Sequence, residues 1–295
     1  MSPRLSAALA DQVRAALHSR AGGPLRAAYG AVTTAQLAAL RLRDTRLEAA
    51  PTAADRADAA RRVTFAVKTF QRPDVARRLV RSLRPQFSGR IVIADDSREP
   101  MAPGDPMVTV LPLPFNSGVS VGRNAALDAV ETEFAFVADD DIVFSAALGL
   151  TQAIAYLDAT PEVDVVGIMR VELPRWYAID HGPDALFPGH QPPLRPWGDL
   201  VNGLPVRQMI EQVYLARTES LQRVRWNEQL RMVDHRDFFS RAAGRLLTVW
   251  DSSHWAYHAR TPFDAGYTAY REDTGADLGL LGRTWSGANP PPADG

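Results

Sequence analysis

Three consecutive carboxylates, Asp139, Asp140 and Asp141, interrupt an otherwise apolar run between Phe134 and Phe144. A buried strand excludes such a cluster, because each unpartnered ionised carboxylate costs several kcal/mol to desolvate. At the C-terminal end of a strand the three would sit on the rim of a sheet, where α/β proteins build their sites. At neutral pH they repel one another unless a cation is present, so a divalent metal is their natural partner. The plainer reading is a solvated turn that caps the next helix. A second acidic pair, Asp95-Asp96, ends the apolar run at residues 91–94. In a parallel sheet both rims face one crevice. One cluster can then hold a phosphate-bound metal while the other accepts hydrogen bonds from a base or ribose. Between them, Gly118-Val-Ser120-Val-Gly122-Arg123-Asn124 leads into a helix. Its glycines let backbone approach a ligand, and Arg123 supplies a fixed planar cation for a diphosphate or a base carbonyl.

The same segment matches the G-x-S-x-G elbow of serine hydrolases, which needs an apolar strand running into the first glycine. Pro112-Leu-Pro114-Phe-Asn116-Ser117 is a poor strand, so that alternative is the weaker one. Downstream, Met232-Val-Asp234-His235-Arg-Asp237-Phe238-Phe239 mixes acids and a histidine with aromatic anchors. A carboxylate there can act as a general base; equally, the polar residues can cap a helix while the phenylalanines fill core. His254 and His258 follow a strand expected to end at Trp250, and either one is a candidate third metal ligand.

The elements that must position these groups follow from periodicity. Residues 1–62 are Ala- and Arg-rich, with one stripe through Leu5, Leu9, Val13 and Leu17 and, after Gly22-Gly23-Pro24, another through Leu37, Leu40 and Leu47. They form an N-terminal helical extension expected to dock on the main domain; homodimerisation and peripheral membrane contact are the other uses of such stripes. From residue 63 the pattern alternates. Strands are expected at 63–67, 91–94, 108–111, 134–139 and 163–168. Helices are expected from Pro73, at 123–130 and at 145–157. This is an α/β domain over 63–280, mostly parallel and flanked by helices. Residues 180–205, rich in proline, form a long irregular segment of the kind used as lids and binding loops. Within and beside it, Trp176, Tyr177 and Trp197 offer faces for a sugar or acceptor, or fill core. Structure resumes at 208–215 and 246–250, and residues 281–295 are expected to be a disordered tail.

Composition narrows the function. Apolar content of 46%, 23% charged residues and a formal charge of -1 describe an ordinary globular protein and give no support to nucleic-acid binding. The absence of cysteine excludes disulfides, thiolate metal sites and Cys nucleophiles. No run approaches ~20 apolar residues, so no transmembrane segment is expected. The first residues lack an apolar signal core, so a cytoplasmic location is expected.

Taken together, the segments in register over about residues 63–260 resemble glycosyltransferases of the GT-A fold, in the wider family-2-like group. Lys68-Thr69-Phe70-x-Arg72-Pro-Asp74 matches the first strand-loop, Ile93-Ala-Asp95-Asp96-Ser97 the second-strand motif, and Ser120-x-Gly122-Arg123-Asn124 the helix entry. Asp139-Asp140-Asp141 stands at the metal-binding acidic (DxD) motif. Leu215-Ala-Arg217-Thr218 and His235-x-Asp237-Phe238-Phe239 are similar to ganglioside-type β-1,4-N-acetylgalactosaminyltransferases.

The resemblance implies a Rossmann-like GT-A sheet and a metal-dependent inverting transfer from a UDP-sugar, with Mn²⁺ or Mg²⁺ as cofactor. It implies that Thr69, Phe70, Arg72, Asp95, Asp96, Arg123, Asp139 and Asp140 line the nucleotide-sugar pocket. Asp139, Asp141 and His258 would hold the metal. Asp237 would be the base, with Asp234 and His235 beside it; Asp234 competes with Asp237 for that role. The acceptor is open among glycan, lipid-linked glycan, peptide and natural product. The ganglioside enzymes carry a membrane anchor and disulfides that this sequence does not show, which argues against a ganglioside acceptor. A catalytically silent nucleotide-sugar-binding scaffold keeps the same fold, and a sugar-phosphate nucleotidyltransferase has a related one but needs a Gly-rich, Arg- and Lys-containing loop that is missing here.

Overall fold

The structure, a computed structural model, describes residues 22–47, 51–261, 265–270 and 273–286. Two N-terminal helices, α1 (Gly23–Leu47) and α2 (Ala53–Arg62), precede the sheet. Leu37 and Leu40 of α1 are buried against Val143, Val171, Leu173 and Tyr257, as their spacing predicts. Asp44 of α1 is fully buried and accepts from Tyr257 Oη and Ser145 Oγ, each at 2.6 Å. The expected stripe through Leu5 and Leu17 lies outside the described residues. Thr52 and Asp55 form a reciprocal capping box that starts α2, and α2 runs directly into the first strand.

Strands β1 (Val63–Thr69), β2 (Ile91–Asp95), β3 (Val108–Pro112) and β4 (Phe134–Asp139) form the parallel part of the sheet. β1, β2 and β4 are buried on both faces, which is why they read as unbroken apolar runs. Helix α3 (Pro73–Leu83) joins β1 to β2; it opens on a proline and buries Ala76, Leu79, Val80 and Leu83 along one stripe. Helix α4 (Val119–Asp128) joins β3 to β4 and starts four residues earlier than its apolar pattern suggests. Beyond β4 come β5 (Ile142–Val143), a 3₁₀ turn (Ala146–Leu148) and α5 (Leu150–Ala159). The single helix expected over 145–157 is split there by Gly149, at φ 64°.

The remaining strands are β6 (Val165–Glu172), β7 (Tyr177–Ala178), β10 (Val213–Arg217) and β11 (Thr248–His258), with β8 (Leu200–Val201) and β9 (Leu204–Pro205) making a separate ribbon. The main sheet runs β3-β2-β1-β4-β10-β6-β11-β5, with β7 beside β6. It is mixed rather than mostly parallel, because β10 is antiparallel to both β4 and β6. The connection from β6 to β10 contains no crossover helix, so the chain re-enters from the edge it left.

One sheet face buries Phe65, Phe136 and Phe144 with α3 and α5; Phe65 and Phe136 stack at 4.4 Å between centroids. Each such ring contributes roughly 1.5–3 kcal/mol by burial. The other face buries Tyr214, Trp226, Phe238 and Phe239 under α4, α6 (Thr218–Val224) and α7 (His235–Ala242). After β11 come α8 (Ala265–Thr268) and α9 (Gly275–Thr284). Residues 281–286 belong to α9 and its end, with Leu281 and Trp285 buried. The disordered tail expected from 281 is corrected to that extent, and residues 287–295 lie outside the described residues. No helix among the described residues is long and apolar enough to cross a membrane.

Candidate active site

Strand register assembles the site. β1 lies between β2 and β4, with Thr69 opposite Asp95 and Lys68 opposite Asp139. At the other flank, β11 sets His258 opposite both Glu172 of β6 and Ile142 of β5. A cavity of about 400 Å³ opens over these ends and is lined by Lys68, Phe70, Arg72, Asp96, Asp139, Asp140, Asp141 and His258, among others. Both acidic clusters therefore contribute to one crevice.

The two clusters differ in their chemistry. Asp95 is buried and accepts from the backbone N–H of Ser97 (2.9 Å) and Met101 (2.8 Å), so it shapes the loop after β2 rather than facing the cavity. Asp96 lines the cavity, pairs with Lys68 Nζ at 2.6 Å and accepts from Gly118 N at 2.9 Å. Gly118 sits at φ 106°, and a Cβ there would come within 2.9 Å of Arg231 Cα, so only glycine lets α4 begin here. A Cβ on Gly122 would meet Lys68 Cγ at 2.4 Å; that close approach lets the lysine stem lie against α4 and point its amine at Asp96.

Within the triple cluster each aspartate has its own environment. Asp139 is the most exposed and is held by Arg123 at 2.7 Å. Burial works against its charge, but Arg123 outweighs it and keeps the carboxyl below its ordinary value. Asp140 accepts from Thr69 Oγ1 at 2.7 Å and from Arg72; burial dominates and pushes it up. Asp141 is buried too, yet His258 and Arg72 hold it well below the usual carboxylate range. Its Oδ2 faces Arg72 at 3.2 Å, while its buried Oδ1 is met by His258 Nε2 at 3.1 Å. The other ring nitrogen of His258 is 2.8 Å from Glu172. Burial opposes protonation of this ring, but Asp141 and Glu172 overcome it and push His258 up to about 9.

A carboxylate beside an imidazole whose far nitrogen is held by a second carboxylate is a donor pair that a divalent cation could use. Asp141 and His258 are thus candidate ligands, with Asp139 held by Arg123 at the same rim. Phe70 and Arg72 also line the cavity; Phe70 packs edge-on with Tyr270 at 5.4 Å, and Arg72 lies 3.7 Å over the Tyr267 ring.

Other predicted residues fall elsewhere. Thr69 supports Asp140 and Arg123 bridges Asp139 to Asp234, so both act from behind the cavity wall. Asp237, the base that the resemblance implies, is fully buried in α7, accepts from Arg241 Nε at 2.8 Å and Trp285 Nε1 at 2.9 Å, and does not line the cavity. Asp234, the other candidate, is tied through Arg123 to the acidic rim. His235 is buried enough to be pushed down to about 4. His254 pairs with Asp251 within β11, which continues past Trp250 rather than ending there. Ser120 is fully buried inside α4 with its hydroxyl unpartnered, which removes the serine-hydrolase alternative. Trp176 and Trp197 lie outside the cavity; Trp176 packs on Tyr257 and Trp197 under Arg207.

Sequence reasoning missed Glu172 and Arg170. Both extend β6 beyond the apolar run that signalled it, and a carboxylate at the end of a strand beside the rim was the available cue.

A family model described as Glycosyl transferase family 2 matches residues 64–201. Beta-1,4 N-acetylgalactosaminyltransferase 2 of Mus musculus is 33% identical over 195 residues, covering 63% of this chain and 37% of its own length. Beta-1,4 N-acetylgalactosaminyltransferase 1 of Rattus norvegicus is 34% identical over 195 residues, covering 62% and 36%. The crystal structure of S. aureus TarS 1-349 in complex with UDP is 20% identical and covers 66% of this chain and 60% of that one, with a TM-score of 0.49. The chain spans little more than a third of the length of the two curated relatives. The match to the glycosyl transferase family 2 model falls on residues 64–201, where β1, the acidic rim and most of the cavity wall lie.

Proposed function

We propose that this chain transfers a sugar from a UDP-sugar to an acceptor hydroxyl with inversion, using a divalent cation. The observation that carries the reading is the pairing of Asp141 with His258 in a cavity that also holds Asp96 and Phe70. Asp139, Asp141 and His258 would hold Mn²⁺ or Mg²⁺, which would neutralise charge on the departing diphosphate as a Lewis acid. Asp96 would accept from the uracil ring in exchange for one of its present partners, with Phe70 offering an aromatic wall. Arg72 keeps Asp140 and Asp141 in place and adds positive charge against the phosphates.

Asp234 is the first base candidate to test: like Asp237 it is buried and outside the cavity lining, but Arg123 ties it to Asp139 at the rim. As base it would take the proton of an acceptor hydroxyl directly as that oxygen attacks the anomeric carbon. The likeness to N-acetylgalactosaminyltransferases makes an N-acetylhexosamine the first donor to try. Incubating the chain with a panel of UDP-sugars and Mn²⁺, with and without acceptor mixtures, tests the reading. Metal-dependent release of UDP supports it. If Mn²⁺ raises neither UDP affinity nor UDP release with any donor, a nucleotide-binding scaffold replaces the enzyme.

A further inference from the structure

Behind the acidic rim three side chains from separate segments converge. His181 comes from the Pro-rich segment, Glu211 from the residues before β10, and His235 from the first turn of α7. One ligand atom of each lies within 4.8 Å of the others. His181 Nε2 is 2.8 Å from Glu211 Oε1. The second oxygen of Glu211 is occupied by Arg170, so Oε1 is the one directed at the histidines. Nε2 of His235 is buried with no partner, while its Nδ1 lies 2.8 Å from the side-chain Nε2 of Gln212, whose amide oxygen is buried without a partner. A half-turn of that amide would set its oxygen against Nδ1–H and leave Nε2 with a lone pair for a cation. A buried ring nitrogen without a partner is disfavoured unless something coordinates it.

Two neutral imidazoles and one carboxylate suit zinc, and each ligand of a good site is itself held from outside. Arg170 does this for Glu211 and Gln212 for His235, and Trp197 Nε1 fixes the segment of His181 by donating to that residue's carbonyl at 2.9 Å. We infer that His181, Glu211 and His235 form a second metal site, for a zinc-like divalent cation, that staples the Pro-rich segment to the helix start beside Asp234. This site is separate from the nucleotide metal and does not rest on the transferase reading.

The full chain, stripped with chelator and dialysed against Zn²⁺, should be assayed by elemental analysis as wild type, Asp141→Ala and His181→Ala. Asp141→Ala removes a ligand of the rim site, and should retain about one zinc per chain. His181→Ala should lose that zinc while its far-ultraviolet circular dichroism stays unchanged. Loaded with Co²⁺, Asp141→Ala should show visible d–d absorption that His181→Ala lacks. Should His181→Ala fail to fold, the nearly isosteric Glu211→Gln takes its place in both measurements. The inference is overturned if Asp141→Ala retains no zinc, or if the folded variant at position 181 or 211 retains as much as Asp141→Ala.

Discussion

The pair Asp95-Asp96 and the triplet Asp139-Asp140-Asp141 look alike in sequence, stand at the ends of β2 and β4 on either side of β1, and border one crevice. In the pair, all four oxygens are engaged by the protein: two backbone N–H groups on Asp95, and Lys68 and the Gly118 N–H on Asp96. In the triplet, Asp141 Oδ1 is met by the imidazole of His258 at 3.1 Å, a group that can itself ligate a metal. An acidic residue reads as a candidate metal ligand where its partner is itself a ligating group, and as scaffolding where backbone N–H groups hold it, as they hold Asp95. Count of carboxylates does not separate the two.

That contrast is open to direct attack. Asp141→Ala should abolish metal-dependent UDP binding and lower turnover on the order of a thousandfold, since metal charge stabilisation is worth several kcal/mol. Calorimetry that shows unchanged affinity with Mn²⁺ would remove Asp141 from the ligand set. Asp234→Asn should cost at least about a hundredfold in turnover, the low end of general-base catalysis, with UDP affinity preserved. Asp237→Asn should do the reverse, lowering the melting temperature while the folded fraction keeps its turnover; the opposite pattern would restore Asp237 as the base. Glu172→Gln should weaken metal affinity by roughly 10–100-fold, the usual effect of losing an outer carboxylate behind a ligating histidine. Asp95→Ala should leave metal affinity unchanged but destabilise the fold, at about 1–3 kcal/mol for each orphaned N–H.

The smallest effect is pH dependence without metal. The His258 pKa is raised from 6.5 to about 9 in the folded chain, so the stability it contributes is fully present below pH 6.5 and is lost as pH rises through 9. The metal-free melting temperature should therefore fall over that window, and His258→Gln should flatten the fall. An unchanged slope in the variant would place the titration elsewhere.

The sequence made the parallel half of the sheet legible because strands buried on both faces leave unbroken apolar runs, and the acidic rim stood out against them. Docking of α1 was legible for the same reason, through Leu37 and Leu40. Strand direction was not: nothing in residues 213–217 says that β10 runs against its neighbours, since direction is set by a connection that lacks a helix. β11 was cut short because Asp251-Ser-Ser-His254 is polar, whereas the strand passes through it with a register shift between Asp251 and Trp255. His258 was therefore expected beyond a strand end and is instead the last residue of one. The burial of Asp237 was not legible either, because it depends on Trp285, far along the chain.

Asp44 carries a practical lesson for anyone trimming this protein to its catalytic half. Cutting the chain near residue 51 removes the carboxylate that receives both Tyr257 and Ser145, and uncovers the apolar patch of Val143, Val171 and Leu173. Tyr257 immediately precedes His258, so such a fragment would be sticky in solution and loosened next to a residue that lines the cavity. The leading helix is better treated as part of the packed domain than as a dispensable tag.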